Sequence, residues 1–477
     1  MRCRMIACVA LTSSVAGGLW ACGGGDDSAP PGPLPDAAGV VDATGDVTTT
    51  DAADAARLPS MDASDGAASF ESGADGGAPP DVEAPPDAGV AARLLLSFNG
   101  GTQSELAAFG LASRQVDGRL LYPGFIGTTY LGRQAPWLLE QASDVVARLE
   151  PSQPWKIAAS WNVSLNDRPD GGPGYSDPDA VVVGAADKAY VLRYNRNEIA
   201  VIAPGSDGGS AIKAIDLSDQ LQADGDGTVE MSAGVYVESK HLVYVLLGNI
   251  NLHKVAPDGY TALCANTHPT VIAIDVATDA VVDLNGSEPG SALSLQGYSP
   301  GLSAGTMAYD AENDRLLVLE SGCNVPVTVT GDAGDGGDAG PGGVVTAGPV
   351  VKRQIEELSL FTGQSRVLLD LSANGEFPSQ LVYIDAHRAI VQLFGTYTWD
   401  PTTTSLGPAI PNAPDAFAYD GVANLLGVTT RYGADGGFSG YDVVSVRIAD
   451  GNVTRLGADP FTLASGFLSG VQLWPAP

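Results

Sequence analysis

Basic side chains are scarce: 24 Lys and Arg face 56 Asp and Glu in 477 residues, a formal net charge of −32. Phosphate contacts need clustered Lys and Arg, so nucleic acid is not an expected partner. Anionic lipid headgroups are disfavoured for the same reason. Histidine occurs four times, at 241, 253, 268 and 387, and no HxH, HExxH or CxxC spacing exists. Transition-metal centres and imidazole acid–base catalysis therefore have little to build on. GxSxG, Walker-type loops and a GxGxxG leading into a helix are also missing. No apolar run reaches the roughly 18 residues of a spanning helix. What is plentiful is apolar residues, 44% of the chain, enough for a large core.

The first segment reads as an address. Arg2 and Arg4 form a basic head, and Met5 to Ala16 is apolar but too short to span a bilayer, the plan of a secretory signal. Leu19-Trp20-Ala21-Cys22 resembles the lipobox of bacterial lipoproteins, with Trp20 where a smaller residue is usual. The resemblance implies cleavage after residue 21 and acylation of Cys22. At about 0.8 kcal/mol per buried CH₂, several acyl chains anchor a protein stably without a spanning helix. Gly23 follows in place of an inner-membrane retention Asp, so the expected place is the outer membrane or cell surface. An ordinary cleaved signal with an incidental cysteine is the alternative.

Residues 23–92 carry 14 acidic residues and one basic residue, Arg57, among Ala, Gly, Pro, Ser and Thr. Such a composition cannot bury enough apolar surface to offset its ordering entropy, so residues 22–92 are expected to form a disordered tether. As a flexible coil it spans roughly 45 Å. Similar patches at Asp167–Gly172 and Gly331–Gly343 read as loop insertions.

From Arg93 to Pro477 the pattern changes to apolar and β-branched runs of four to eight residues, bounded by Gly, Asp, Asn and Pro. Trp137–Leu149 is the one stretch ambiguous between helix and strand. Several runs share a plan, an Asp or Asn turn followed by a buried strand: Asp187–Leu192, Lys240–Val245, Asn313–Val318, Ala386–Val391 and Ala423–Val428. Each precedes a second apolar strand, as at Ile199–Ile202 and Val443–Ile448, and Tyr130-Leu131-Gly132 marks an earlier unit. Without its loops the unit measures about 40–50 residues, the size of a four-stranded blade. At about 50–55 residues each, residues 93–477 hold seven. The expected fold is an all-β, seven-bladed β-propeller in which Gly470–Trp474 pairs with Arg93–Leu96 and closes the ring.

Ala189-Tyr190-Val191 through Asn195, Ile199–Ile202 and Val271–Thr278 carry a further resemblance. They are similar to the repeats of bacterial YVTN-type, surface-layer-type β-propellers, which run "aYVxNxxxNxVxVID" and then "DxATxxVV". The resemblance implies the same propeller fold.

Few residues carry chemistry. Cys264 and Cys323 follow equivalent strands of consecutive units, so their loops share a face and the two can meet as a disulfide, with separate thiols as the alternative. Asp224, Asp226 and Glu230, around Gly225 and Gly227, can offer hard oxygens to a structural calcium ion, although a solvated acidic turn has the same composition. No other cofactor is expected. Trp137, Trp155, Trp161, Trp399 and Trp474 suit packing better than a sugar platform. The expectation is a monomeric, non-enzymatic envelope lipoprotein binding an unidentified protein or small molecule through its loops or central channel. Two alternatives stand: a lyase or hydrolase with polar groups at the ring centre, and a purely structural envelope component.

Overall fold

The structure is a computed structural model. It describes residues 90–476 apart from 101, 124–128, 132–134, 166–175, 223–226, 251–253, 255, 257–262, 266, 285–291, 299–306, 330–343, 375–377 and 464–465. The signal segment, Cys22 and nearly all of the tether therefore lie outside the described residues. So do Asp224, Asp226, His253 and the two insertions.

The described chain folds into seven antiparallel sheets. Blade 2 runs from its inner to its outer strand as Thr129–Leu131, Pro136–Glu140, Val145–Glu150 and Gln153–Asn162. Blade 3 begins with Pro178–Ala185 and Lys188–Arg193, blade 4 with Met231–Val237 and Leu242–Leu247, and blade 5 with Met307–Asp310 and Arg315–Val329. Blade 6 opens on Gln380–Asp385 and Arg388–Gln392. Blade 7 comprises Ala416–Tyr419, Asn424–Tyr432, Phe438–Arg447 and Val453–Ala458. Blade 1 joins the two ends of the domain: Phe467–Trp474 is its inner strand and Arg93–Asn99, Gln103–Gly110 and Gln115–Pro123 are the rest. The closing register sets Arg93 opposite Trp474 and Leu96 opposite Val471.

Side-chain alternation explains why the second strands read as unbroken apolar runs. Successive residues point to opposite sheet faces, and in a ring both faces are covered by neighbouring blades. Leu94 and Leu96 pack on blade 7 while Leu95 packs on blade 2. Tyr190 and Leu192 pack on blade 4 while Ala189 and Val191 pack on blade 2. Leu316 and Val318 meet blade 4, and Leu317 and Leu319 meet blade 6. With the cluster between blades 6 and 7, every adjacent pair of blades shares a buried core. The fold is a closed seven-bladed β-propeller.

The recurring Asp turns close the first hairpin of a blade. In blade 7 the Asp420 carboxylate accepts the backbone N–H groups of Val422, Ala423 and Asn424 at 2.8–2.9 Å. In blade 5 Asp310 does the same for Glu312 and Asn313, and also holds Arg315 and the Tyr383 hydroxyl of blade 6. The turn residue thus doubles as a tie between blades. The Trp137–Leu149 stretch resolves into strand Pro136–Glu140, one helical turn Gln141–Ser143 and strand Val145–Glu150. Asp144, in the left-handed region at φ 55°, reverses the chain there.

Candidate functional site

A blade built as a meander places its first and third connections on one face of the ring. Its second connection and the passage to the next blade lie on the other. The Asp turns occupy the first face. The long loops occupy the second, and the chemistry lies there.

At blades 3 to 5 this loop face carries a disulfide. Cys264, in the loop after the second strand of blade 4, is joined to Cys323 on the second strand of blade 5, Cα to Cα 5.0 Å. Cys264 also donates its N–H to the Asn324 carbonyl at 2.9 Å. Around this bridge Tyr194, Ile250 and Tyr298 form a buried apolar cap.

Carboxyl groups gather beneath and beside the cap. Asp144 and Asp179 are 1% and 5% exposed, and Glu230 is fully buried. Asp144 accepts the Ser176 hydroxyl at 2.6 Å. Burial, reinforced by the nearby Asp144 charge, pushes the Asp177 carboxyl up to about 6. Burial and then Asp177 push Asp179 well above the usual carboxylate range. Tyr194 is raised by burial first and then by Glu230, Asp179 and Asp177, which places these groups in one electrostatic cluster. A second acid pair lies between blades 4 and 5. Glu356 accepts N–H groups from Gln296 at 2.8 Å and Gly297 at 3.1 Å, and the Gln354 side chain at 3.0 Å. Glu320 beside it is pushed well above the usual carboxylate range, by burial and then by the Glu356 charge.

The one carboxylate of the calcium candidate that is described is already engaged. Glu230 accepts the Thr228 hydroxyl and the backbone N–H of Ile250, the latter at 2.9 Å. Among the described residues no group of three or more His, Cys, Asp or Glu has the geometry to hold a metal ion. Trp137, Trp161, Trp399 and Trp474 are buried in the blades, and Trp155 lies under the Arg93 guanidinium at 5.4 Å. None of the five forms an open platform. His387 lies 3.7 Å from Asp400, His241 sits in its turn at φ 54°, and His268 is exposed.

An open cleft lies elsewhere on this face, where the two ends of the domain meet. A cleft of about 420 Å³ is lined by Phe98 of blade 1, Phe438–Tyr441 of blade 7, and Asp459 and Phe461–Leu463 of the loop between them. Phe98 stacks on Phe461 with centroids 4.6 Å apart. Tyr441 meets Phe98, Phe461 and Phe438 edge-to-face at 6.0, 5.6 and 5.1 Å.

The cleft is held from below. Glu105, fully buried on the third strand of blade 1, accepts the N–H and hydroxyl of Thr462 at 2.8 and 2.7 Å and the N–H of Leu463 at 3.2 Å. Arg119 balances its charge at 2.9 Å. At the rim Arg431 grips both Asp459 oxygens, at 2.8 and 2.9 Å, and pairs with Asp442 at 3.1 Å. Gly440 sits at φ 127°, and a Cβ there would stand 2.2 Å from an Asp459 oxygen, so only glycine lets the rim close this tightly.

No protein-family model matches the sequence, and no curated protein matches it. Solved structures do. The chain is similar to apo AztD from Citrobacter koseri, with a TM-score of 0.43, 9% identity, and 80% of this chain and 98% of that one covered. It is similar to the Cps50 (Swd1) β-propeller domain of Myceliophteria thermophila, with a TM-score of 0.41, 10% identity, and 76% and 96% covered. Dihydro-heme d1 dehydrogenase NirN in complex with DHE gives a TM-score of 0.42, 12% identity, and 80% and 74% covered. These are likenesses of fold alone.

The cleft residues escape sequence reading because they come from strands at opposite ends of the domain. The one local signal is the aromatic density of Tyr432, Phe438 and Tyr441 around the Gly-rich turn of blade 7. Chemically, the described lining offers aromatic faces and no histidine, cysteine or lysine, and its single carboxylate is tied to Arg431.

Proposed function

We propose that this is an exported, non-enzymatic envelope lipoprotein, anchored through Cys22, that takes a small ligand into the cleft between blade 7 and blade 1. The cleft itself carries the proposal: four aromatic rings around an open volume of about 420 Å³, fixed in place by the buried Glu105. A rigid, largely preformed apolar cavity with a few fixed polar groups is the usual form of a small-molecule site. The anchor rests on Leu19–Cys22, and the acidic tether would hold the ring away from the membrane. An acid–base enzyme would need its displaced carboxyls open to substrate. Of these, Asp179 and Glu320 are buried and Asp177 is half-buried.

The test is titration of the whole protein with the neutral fluorophore N-phenyl-1-naphthylamine. The expected result is saturable binding of one dye per chain. It should weaken at least fivefold in Phe438→Ala, a 56% exposed position, and stay unchanged in Phe361→Ala, an exposed phenylalanine on the opposite face. Dye uptake that does not saturate, or that Phe438→Ala leaves intact, overturns the assignment.

A further inference from the structure

Resting on that reading of the cleft, we propose that its ligand carries a quaternary, trimethylated ammonium group, a compact organic cation without N–H donors. The first observation is which polar atoms of the lining are already engaged. The Ser439 hydroxyl and carbonyl take hydrogen bonds from Arg431 at 3.3 and 2.9 Å, and both Asp459 oxygens take Arg431 as well. The Tyr441 carbonyl takes the Asp459 N–H at 2.8 Å, and its hydroxyl meets the backbone of Leu468. The Thr462 N–H and hydroxyl and the Leu463 N–H all end on Glu105. A sugar would arrive with a set of hydroxyls needing partners, and each left unpaired on burial costs about 1–3 kcal/mol. A primary ammonium has three donors and the same need. A quaternary ammonium has none.

The second observation is charge. Asp459 at the rim and Asp442 pair with Arg431, Asp442 pairs also with Arg455, and Asp415 takes the Thr430 N–H nearby, so this group carries one negative charge in excess. Asp415 lies close enough to Tyr441 to help burial raise its hydroxyl. The whole chain adds a field of −32, which draws cations and repels anions. An uncharged apolar ligand would fit the rings but gain nothing from this field.

Ring geometry is the third. Phe98, Phe461 and Phe438 stand at 79°, 86° and 65° to Tyr441. Phe98 and Phe461 stack at 26° to each other and Tyr441 crosses them, so the rings present electron-rich faces in two directions, whereas a sugar platform needs one flat exposed face. Phe438, the most exposed of the four, is the wall a ligand would meet first.

The experiment is calorimetric titration of the whole protein with choline chloride and with its uncharged isostere 3,3-dimethyl-1-butanol. Choline is expected to bind at least tenfold more tightly than the isostere and to displace N-phenyl-1-naphthylamine. Phe438→Ala should weaken choline at least tenfold while Phe361→Ala does not. Equal affinity for the two compounds, or a glucose or mannose probe that binds more tightly than choline, overturns the ligand class while saturable dye binding leaves the cleft assignment standing. Choline affinity unchanged in Phe438→Ala overturns the proposal outright.

Discussion

Removing Phe467–Pro477 is expected to abolish cooperative folding. This strand is the inner edge of blade 1, paired along its length with Arg93–Asn99. It brings Leu468, Val471, Leu473 and Trp474 into the core, Trp474 fully buried with its indole N–H donating to the Pro151 carbonyl at 2.8 Å. Burying a side chain of this kind contributes about 1.5–3 kcal/mol, so the four together supply about 6–12 kcal/mol. That matches the whole stability of an ordinary domain, about 5–15 kcal/mol. The deletion also bares the inner edge of Arg93–Asn99, an unpaired template for aggregation. Circular dichroism melts and soluble yield read the effect. A truncated chain that melts cooperatively within a few degrees of the intact one would show that the ring does not depend on this strand.

Protein stability is expected to fall as pH rises from about 4 to 6, and Asp177→Asn is expected to remove much of that fall. The folded-state value of Asp177 is about 6, above the ordinary 3.8, because the carboxyl is buried and faces Asp144. The folded chain therefore holds this proton more tightly than the unfolded chain. No penalty exists below the unfolded value, and the full penalty is reached once pH passes the folded one. At about 1.4 kcal/mol per pH unit, the loss across that window is roughly 3 kcal/mol. Asp179 is displaced in the same direction and adds to the slope. Asparagine suits the backbone, since Asp177 sits at φ 55°, a region that Asn tolerates well. The Asp177 carbonyl keeps the Tyr194 N–H at 2.9 Å in either case. Self-repulsion of the acidic chain also grows with pH, so the quantity to compare is the difference between variant and parent. Urea midpoints at pH 4.5 and pH 7 should show the variant about 3 kcal/mol more stable at pH 7 and only about 1 kcal/mol more stable at pH 4.5. Equal slopes for both proteins would refute the assigned environment.

The architecture was legible because a closed ring imposes a simple rule on sequence. Second strands such as Leu242–Leu247 are buried on both faces and appear as apolar runs, and Asp turns precede them in blades 3, 5, 6 and 7. Counting units gave seven, and Gly470–Trp474 stood out as an apolar strand with a free partner in Arg93–Leu96. Trp137–Leu149 was ambiguous because a helical turn at Gln141–Ser143 joins two short strands. The pairing of Cys264 with Cys323 followed from their equivalent places in consecutive units, and the disulfide lies where that argument puts it.

Function was far less legible. Sequence reading directed attention to carboxylates two residues apart and to tryptophans, the residue types with the strongest local signals. The tryptophans fill the interior. The cleft draws on Phe98, Phe438, Tyr441 and Phe461, two of which are neighbours only because the last strand pairs with the first. Glu105 stood within an apolar run, Leu106–Phe109 following it, and nothing local marked it as the anchor of a loop more than three hundred residues away. Three-dimensional proximity made by ring closure has no local trace in the chain.

Amide hydrogen exchange of the whole protein, with and without saturating N-phenyl-1-naphthylamine, tests the binding cleft most directly. Slowed exchange confined to peptides covering Phe98, Phe438–Tyr441 and Phe461–Leu463 is the predicted result. Protection at the Asp turns of the opposite face, or over Asp177–Asp179, with the cleft unchanged would contradict it.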